Sequence, residues 1–387
     1  MTDKPLNIPT LTPLRGIAAL MVAVFHFDGV VANFVNQQQS MLIAKCYLMV
    51  DLFFIMSGFI ILHVYGDKFS VSINKAGFLK FIGARFARIY PLHFFTLLIW
   101  VALFYALNQP PSPINNPMAI PTHLLLLHSF GIHNIFTWNV PSWSISAEWW
   151  AYIIFPMLAI FIARFKNIAI ITLSIFSMMA YIAIMYFLPR VNIFVPDLPV
   201  PHNLDVTYNY GYLRGIAGFI AGMICYLAFE QQKINNYLRR DLISFLIIII
   251  TIILFHFGVN DLLLIPCFML LVISIAANQG VIYKIFQFKP LQYLGDISYS
   301  IYLVHVLLMF YFAVPIIERF GYVYKGPGSL KMPFITGFGF CIVYIVAVIL
   351  LSTISFYTIE KPCRDWLNKK FKKAKSISQE NLQPSLS

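Results

Sequence analysis

The sequence predicts an all-α, polytopic membrane protein with about ten transmembrane helices, and two observations lead to this fold class. The chain has 387 residues, of which 60% are hydrophobic and only 11% are charged. Its mean hydropathy is +0.78, and a soluble fold of this size cannot bury so much apolar surface. The apolar residues also occur in long runs, most of which have the length that a helix needs to cross a bilayer.

Ten apolar runs define the predicted spans. They lie at residues 11–35, 42–66, 88–107, 144–164, 167–188, 210–229, 241–257, 261–277, 298–318 and 333–358. A further run at 123–130 is too short to cross and predicts a half-helix in a loop. The first run is too long for a cleavable signal peptide and lacks a small-residue cleavage site. We therefore expect a membrane domain over 1–366, followed by a basic and polar cytoplasmic tail over 367–387 that is disordered.

The distribution of basic residues predicts that both termini are cytoplasmic. Most of the 27 Lys and Arg residues fall in alternate loops and in the C-terminal tail, and such residues mark the cytoplasmic side of a membrane protein. The loop 108–142 contains neither and is predicted to be external, whereas Arg319, Lys325 and Lys331 go against the rule. Attraction to anionic membrane lipids accounts for the net charge of +12. No soluble domain is present to bind nucleic acid.

The first apolar run carries Arg15 near one end and His26 near its middle. Eleven residues at about 100° each make three turns plus about 20°, so the two side chains share one stripe of the helix, roughly 16 Å apart along the axis. An ionisable group near the membrane midplane is costly, which makes His26 a candidate functional residue. The alternative is a histidine that only hydrogen-bonds between helices.

Two carboxylates accompany this histidine. Asp51 lies inside the second run and needs a partner there, for which His26 is at a compatible depth. Glu148 lies among Trp143, Trp149 and Trp150 near the predicted outer face. Tryptophans at this depth are often interfacial belt residues, but a carboxylate among aromatic rings also suits a sugar. We therefore expect Asp51 or Glu148 to orient the imidazole.

Arg85 and Arg88 are three residues apart, which places them on one helical face. Two guanidinium groups so placed can hold phosphate oxygens. The alternative is that both only anchor the helix at the cytoplasmic surface. Pro91, a few residues further on, predicts a kink or the start of the membrane helix.

Other polar residues have simpler interpretations. Ser57-Gly58 is typical of a close-packing notch between helices, and His305 is interpreted as a structural, hydrogen-bonded histidine. The motif IEKP at 359–362 is interpreted as a helix terminus. The five cysteines are scattered and show no spacing typical of a metal site, so we expect no metal.

These segments together resemble the integral-membrane acyltransferase family 3, whose members include bacterial O-antigen, exopolysaccharide and nodulation-factor O-acetyltransferases. The first helix has the family's basic residue, ten spacers and histidine, here Arg15 and His26. Further matches, in order over roughly 8–366, are DLFFIMSGF, RFARIYPLH, PSWSISAEWW, ISYSIYLVH and IEKP. The resemblance implies that His26 is catalytic and that Arg85 and Arg88 help to bind an acyl-CoA donor.

The expected function is therefore O-acyl transfer, with acetyl-CoA as a donor substrate and no permanently bound cofactor. Arg15, Arg85 and Arg88 would hold its phosphates, and a saccharide or lipid-linked glycan would enter from the other side of a bacterial inner membrane. His26 would act as general base, or alternatively form an acyl-imidazole intermediate. The competing function is a secondary transporter with His26 and Asp51 as proton relay.

Overall fold

The computed structural model describes residues 8–189 and 202–380, although not the side chains of 372–380, and these residues form helices without β-strands. Eight helical segments in the described part are long and apolar enough to cross a membrane, and two shorter apolar helices accompany them. In chain order they are α1 (Leu11–Ala32), α2 (Cys46–Tyr65), α3 (Lys75–Ala106), α4 (Val140–Arg164), α5 (Lys166–Phe187), α6 (Gly211–Phe229), α7 (Asp241–His256), α8 (Asp261–Ala277), α9 (Ser298–Arg319) and α10 (Phe334–Phe371).

These ten helices lie at the ten predicted positions, so the all-α, polytopic membrane fold is confirmed. The predicted spans at 241–257 and 261–277 are the shorter pair α7 and α8, with 16 and 17 residues. We call the end of the bundle where α1 and α3 begin the basic end. The opposite end, which carries the connection between α3 and α4, is the loop end. The half-helix predicted at 123–130 is not formed, because a single turn of helix, Ile120–Leu124, ends two residues into this run and turns follow it.

The start of α3 differs from the sequence prediction. The helix begins at Lys75 rather than near 88 and runs through Pro91 without a break. Asn74 caps it, since its side chain accepts a hydrogen bond from the backbone N–H of Gly77 at 2.6 Å. The extra turns place Arg85 and Arg88 well inside a continuous helix instead of at its start.

Glycines allow the closest helix contacts in the bundle. A Cβ atom on Gly58 of α2 would lie 1.9 Å from the carbonyl oxygen of Phe219, and one on Gly222 of α6 would lie 2.0 Å from that of Ile55. The two backbones therefore touch, as is common where small residues line a membrane helix interface. The predicted packing role of the Ser57-Gly58 notch is confirmed for Gly58, whereas the side chain of Ser57 donates a hydrogen bond to Glu148.

The apolar core forms two clusters. The larger cluster consists mainly of residues from α2, α4, α5, α6 and α8, and the smaller one joins the loop-end half of α1 to α3, α9 and α10. Residues of both clusters line the largest cavity, which therefore lies where the two halves of the bundle meet.

The C-terminal segment is helical further than expected. After a π-helical turn at Phe356–Glu360, the chain continues as a helix over Lys361–Glu380. This helix packs on α3, where a Cβ on Gly83 would lie 3.2 Å from the ring of Phe371. Residues 367–380, for which we expected a disordered tail, are therefore helical, and Phe371 gives this basic segment an apolar contact with α3. Residues 381–387 lie outside the described part.

Candidate active site

Two cavities of different chemistry adjoin inside the bundle. The first, here the arginine cavity, has a volume of about 130 Å³ and is lined by Arg15, Arg85, Arg88 and Glu148. The second, here the aromatic cavity, has a volume of about 1020 Å³ and extends to the loop end. Its aromatic lining includes Phe25, Tyr47, Trp100, Phe136, Trp138, Trp143, Phe310 and Tyr311. Val50 and Tyr302 line both cavities, so the two spaces meet at these side chains.

His26 lies in the wall of the aromatic cavity. It is the last residue of the regular α-helix Leu11–His26, and the chain then widens into a π-helical turn at Phe27–Ala32. Such turns often occur at functional sites. Its Nδ1 atom is 3.0 Å from the carbonyl oxygen of Val22 and 3.2 Å from Nε2 of His305. In the described part of the chain, neither Asp51 nor Glu148 hydrogen-bonds to this imidazole.

The three arginines predicted to bind the donor all line the arginine cavity. Arg88 pairs with Glu360, with Nη1 2.6 Å from Oε1, and Glu360 is only 1% exposed. Arg85 donates a hydrogen bond from Nη2 to the hydroxyl of Tyr65 at 3.2 Å. The shared helical face of Arg85 and Arg88 is thus confirmed, although different partners hold the two side chains.

Glu360 was not expected in the site. Its Oε2 atom also accepts a hydrogen bond from Ser300 at 2.8 Å. The interpretation of the IEKP motif as a simple terminus is therefore wrong, because this carboxylate is buried and paired with Arg88. The signal in the sequence is the acid itself, which stands at the end of a run that is otherwise apolar.

The position of Glu148 also needs correction. It lies in the arginine cavity, whereas Trp143 lines the aromatic cavity. Five helical residues amount to about 500°, so the two side chains point about 140° apart and cannot share a face. Oε1 of Glu148 accepts hydrogen bonds from Ser57 at 2.7 Å and from Tyr152 at 2.5 Å.

Asp51 is paired with Arg214, which was not among the residues predicted for the site. Arg214 of α6 places Nη2 2.6 Å from Oδ2 of Asp51, and both side chains are fully buried. Tyr181 donates a further hydrogen bond to Oδ1 at 3.1 Å. The expected contact between Asp51 and His26 is therefore wrong, because a buried carboxylate is better satisfied by a guanidinium, which carries a full charge and several donors.

Arg214 could have been found in the sequence, since it is the only charged residue between 211 and 229. Its guanidinium lies over the ring of Trp143, 5.3 Å from the ring centroid, and Nη1 is 3.9 Å from Oδ1 of Asp205. Both Arg214 and Asp205 line the aromatic cavity. The ion pair between Arg214 and Asp51 therefore helps to hold the wall of the aromatic cavity in place.

The connection between α3 and α4 folds over the loop end. His123 and His128 stack with ring centroids 3.9 Å apart, and His93 of α3 stacks on His128 at 5.7 Å. Burial, reinforced by the neighbouring His93, lowers the pKa of His128 to about 3, so this imidazole is neutral at physiological pH. No group of His, Cys, Asp or Glu in the described part is arranged to hold a metal ion. Trp138, which lines the aromatic cavity, is fully buried in this connection.

The chain is similar to known proteins of one family. The sequence model of a family described as an acyltransferase domain matches residues 10–355. The chain is 33% identical to acyltransferase MdmB of Streptomyces mycarofaciens over 164 aligned residues. This alignment covers 41% of this chain and 40% of that protein. It is 37% identical to protein 2 in picA locus of Rhizobium radiobacter over 117 aligned residues. This alignment covers 30% of this chain and 56% of that protein.

No solved structure matches the chain significantly. Each aligned stretch spans less than two thirds of the curated relative to which it belongs. The family match, in contrast, extends from the start of α1 into the last span, and so includes His26, the three cavity arginines and His305. The chain therefore belongs to the acyltransferase-3 family, and its helices are those of a multi-pass membrane protein.

Proposed function

We propose that this protein moves an acyl group, most simply acetyl, from cytosolic acyl-CoA to a hydroxyl group of an extracytoplasmic saccharide. The observation that carries the proposal is the meeting of two chemically different cavities at Val50 and Tyr302, with His26 in the wall of one of them. A site of this kind suits two substrates that arrive from opposite ends and react where the cavities join. The bacterial inner membrane, with the basic end in the cytoplasm, is the matching location.

The arginine cavity supports an anionic donor. Arg15, Arg85 and Arg88 line it, and guanidinium groups are well suited to phosphate oxygens. A volume of about 130 Å³ admits a narrow chain rather than a nucleotide. In the proposed complex the nucleotide of acyl-CoA therefore stays at the basic end with its phosphates against the arginines, and the thin arm passes on toward Tyr302.

The aromatic cavity supports a saccharide acceptor or a lipid-linked glycan. Its volume of about 1020 Å³ lies at the upper end of the range of typical small-ligand sites. Phe136, Phe310 and Tyr311, which are only partly buried in this lining, offer flat apolar faces on which sugar rings can stack. Gln109 and Asp205 in the same lining supply hydrogen-bonding groups for hydroxyls.

In the proposed reaction His26 acts as general base. Its imidazole takes the proton of the acceptor hydroxyl while the oxygen attacks the thioester carbon. The new C–O bond forms, the C–S bond breaks, and the imidazolium returns its proton to the departing CoA sulfur. Such proton transfer contributes typically about 10²–10⁴-fold to a rate. The alternative, in which His26 itself carries the acyl group, differs by its ping-pong kinetics.

The transporter hypothesis has lost its main support. It required His26 and Asp51 to exchange a proton, but Asp51 is engaged by Arg214 and Tyr181. His26 contacts His305 instead. A relay that joins His26 to Asp51 has no hydrogen-bonded path through the described residues.

The test is transfer of labelled acetyl from acetyl-CoA to envelope glycan in isolated membranes. We expect His26→Ala to fold and insert but to lose about 10²-fold or more of the transfer rate. His256→Ala is the matched control, because this histidine is exposed at the end of α7 and lines neither cavity. Near-normal labelling by His26→Ala at equal expression would refute the catalytic assignment.

A further inference from the structure

Two histidines from different helices face each other beside the junction of the cavities. Nε2 of His305 in α9 lies 3.2 Å from Nδ1 of His26 in α1, and the ring centroids are 5.0 Å apart. Tyr302, one turn before His305, lines both cavities. The proton positions in this pair decide which nitrogen of His26 can act on a substrate.

The proton of His305 is determined by its own helix. Nδ1 lies 2.7 Å from the carbonyl oxygen of Tyr302 and 3.2 Å from that of Ile301. Carbonyl oxygens only accept hydrogen bonds, so Nδ1 must carry a hydrogen. A fully buried ring without a carboxylate partner in the described residues is neutral. Nε2 of His305 therefore has a lone pair and points it at His26.

The ring nitrogen of His26 that carries the hydrogen is in turn determined by the tautomer of His305. Its Nδ1 faces two acceptors, the lone pair of His305 Nε2 and the carbonyl oxygen of Val22 at 3.0 Å. Nδ1 must therefore donate, and in a neutral imidazole Nε2 is then the nitrogen with a free lone pair. Nε2 has no hydrogen-bond partner among the described residues, while the side chain lines the aromatic cavity.

We infer that His305 is a positioning residue that holds His26 in the tautomer with Nε2 free to take the acceptor's proton. When Nε2 becomes protonated, the Nδ1–H bond to His305 persists and the positive charge is stabilised through the two carbonyl oxygens behind it. The carbonyl oxygen of Val22 favours the same tautomer, but in an α-helix it also accepts the backbone N–H of His26, whereas Nε2 of His305 has no other donor among the described residues. The structural interpretation of His305 from sequence is thereby extended to an action on its partner.

The kinetic part of this inference rests on the proposed function, whereas the tautomer itself does not. The tautomer is measured without substrates, by ¹⁵N NMR of histidine-labelled protein in lipid. The signal that is lost in His26→Gln identifies His26. We expect a protonated Nδ1 and a bare Nε2 for His26 in the unmodified protein. A protonated Nε2 with a bare Nδ1 would overturn the assignment, whether or not the protein proves to be a saccharide acyltransferase.

Substitutions of His305 separate positioning from packing. His305→Leu removes the acceptor, and we expect the Nε2–H tautomer of His26 to appear and the acetyl-transfer rate to fall by about 10- to 10³-fold. For comparison, the wrong tautomer in the serine-protease triad costs about 10⁴-fold. His305→Gln places an amide oxygen near the position of Nε2 and should keep the tautomer and most of the rate.

Two further variants keep the test informative if His305→Leu misfolds. His305→Asn is polar as well but too short to reach His26, so it tests the same loss of the acceptor if His305→Leu fails to fold. Tyr344→Phe removes only the hydrogen bond from the Tyr344 hydroxyl to the His305 carbonyl oxygen, 2.8 Å, and should change neither tautomer nor rate. Equal loss in the Gln and Asn variants with an unchanged His26 tautomer would reduce His305 to a packing residue and refute the inference.

Discussion

At the scale of single residues, Glu360 keeps Arg88 in place without cancelling the charge of the arginine cavity. The carboxylate is shared, because Arg364 also lies 3.8 Å from its Oε1 atom. Glu148 is the second acid near the cavity, and it is held by Ser57 and Tyr152. Three arginines, Arg15, Arg85 and Arg88, line the cavity beside these two carboxylates, which leaves it positive and suited to an anion.

Arg85 provides the cleanest test of donor binding, because it donates its hydrogen bond to the neutral Tyr65 rather than to a buried acid. Arg85→Ala should weaken acetyl-CoA binding by about 10- to 100-fold, the value of a hydrogen bond between charged groups. Arg85→Lys should restore it only in part, since a single ammonium cannot bind two phosphate oxygens in a planar fork. The measurement is acetyl-CoA affinity in detergent.

Arg164 supplies the control, since it is exposed at the same end of the bundle but does not line the cavity. Arg164→Ala should leave the affinity unchanged. For Arg88 the double variant Arg88→Ala, Glu360→Gln is preferable to the single one, because Arg88→Ala would leave a buried carboxylate without its closest partner. Unchanged affinity in Arg85→Ala and in the double variant would reduce both arginines to membrane anchors.

Residue positions within one helix could be predicted from the sequence, and pairings between helices could not. The positions of Arg15, Arg85 and Arg88 can be deduced from helical spacing, and all three line one cavity. The pairing of Asp51 with Arg214 joins residues 163 positions apart, and that of Arg88 with Glu360 joins residues 272 apart. Such pairs depend on which helices become neighbours, which a periodic pattern does not reveal.

At the scale of helices, the contact between α2 and α6 fixes one wall of the site. Val50 and Ser57 belong to α2, and both line the arginine cavity. The contact is made by backbone atoms, since Cβ atoms on Gly58 and Gly222 would lie 1.9 and 2.0 Å from carbonyl oxygens. Backbone cannot move aside as a flexible side chain can, so any side chain at these positions must separate the helices.

Gly222→Ala should therefore destabilise the protein by about 1–3 kcal/mol, the typical cost of overpacking. Thermal unfolding in detergent measures the effect, and acetyl transfer should fall as well, because α2 carries part of the cavity wall. Gly339→Ala in α10 is the matched control, since a Cβ there has no neighbour within 4 Å. That variant should be neutral or slightly stabilising, as alanine favours a helix over glycine. Equal stability of the two variants would contradict the close contact.

The two helices that carry the histidine pair share an irregularity that the sequence did not indicate. A π-helical turn begins directly after His26, at Phe27–Ala32, and another lies four residues after His305, at Met309–Ala313. Each turn accommodates an extra residue and rotates the rest of its helix relative to a regular α-helix. A periodicity of 3.6 residues per turn therefore describes which residues share a face from Arg15 to His26, but it no longer does so after His26.

At the scale of the whole molecule, the two cavities adjoin and differ in the chemistry of their linings. Three arginines and Glu148 line the arginine cavity, and aromatic side chains form a large part of the lining of the aromatic cavity, which extends to the loop end. In the structure Val50 and Tyr302 line both cavities, and Tyr302 lies one turn from His305. A donor arm must pass these two side chains to bring its thioester to the imidazole.

The proposed passage beside Val50 and Tyr302 predicts that the two substrates react from opposite sides of the membrane. With the basic end in the cytoplasm, as proposed, this end faces outward in sealed inside-out vesicles, so acetyl-CoA added outside should acylate a glycan acceptor trapped in the lumen. Free CoA should appear only outside, because the thiol leaves by the way its donor entered. Vesicles that carry His26→Ala control for leakage and for uncatalysed transfer. If labelling instead requires donor and acceptor on the same face, Val50 and Tyr302 close the path permanently, and the acyl group must cross the membrane by another route.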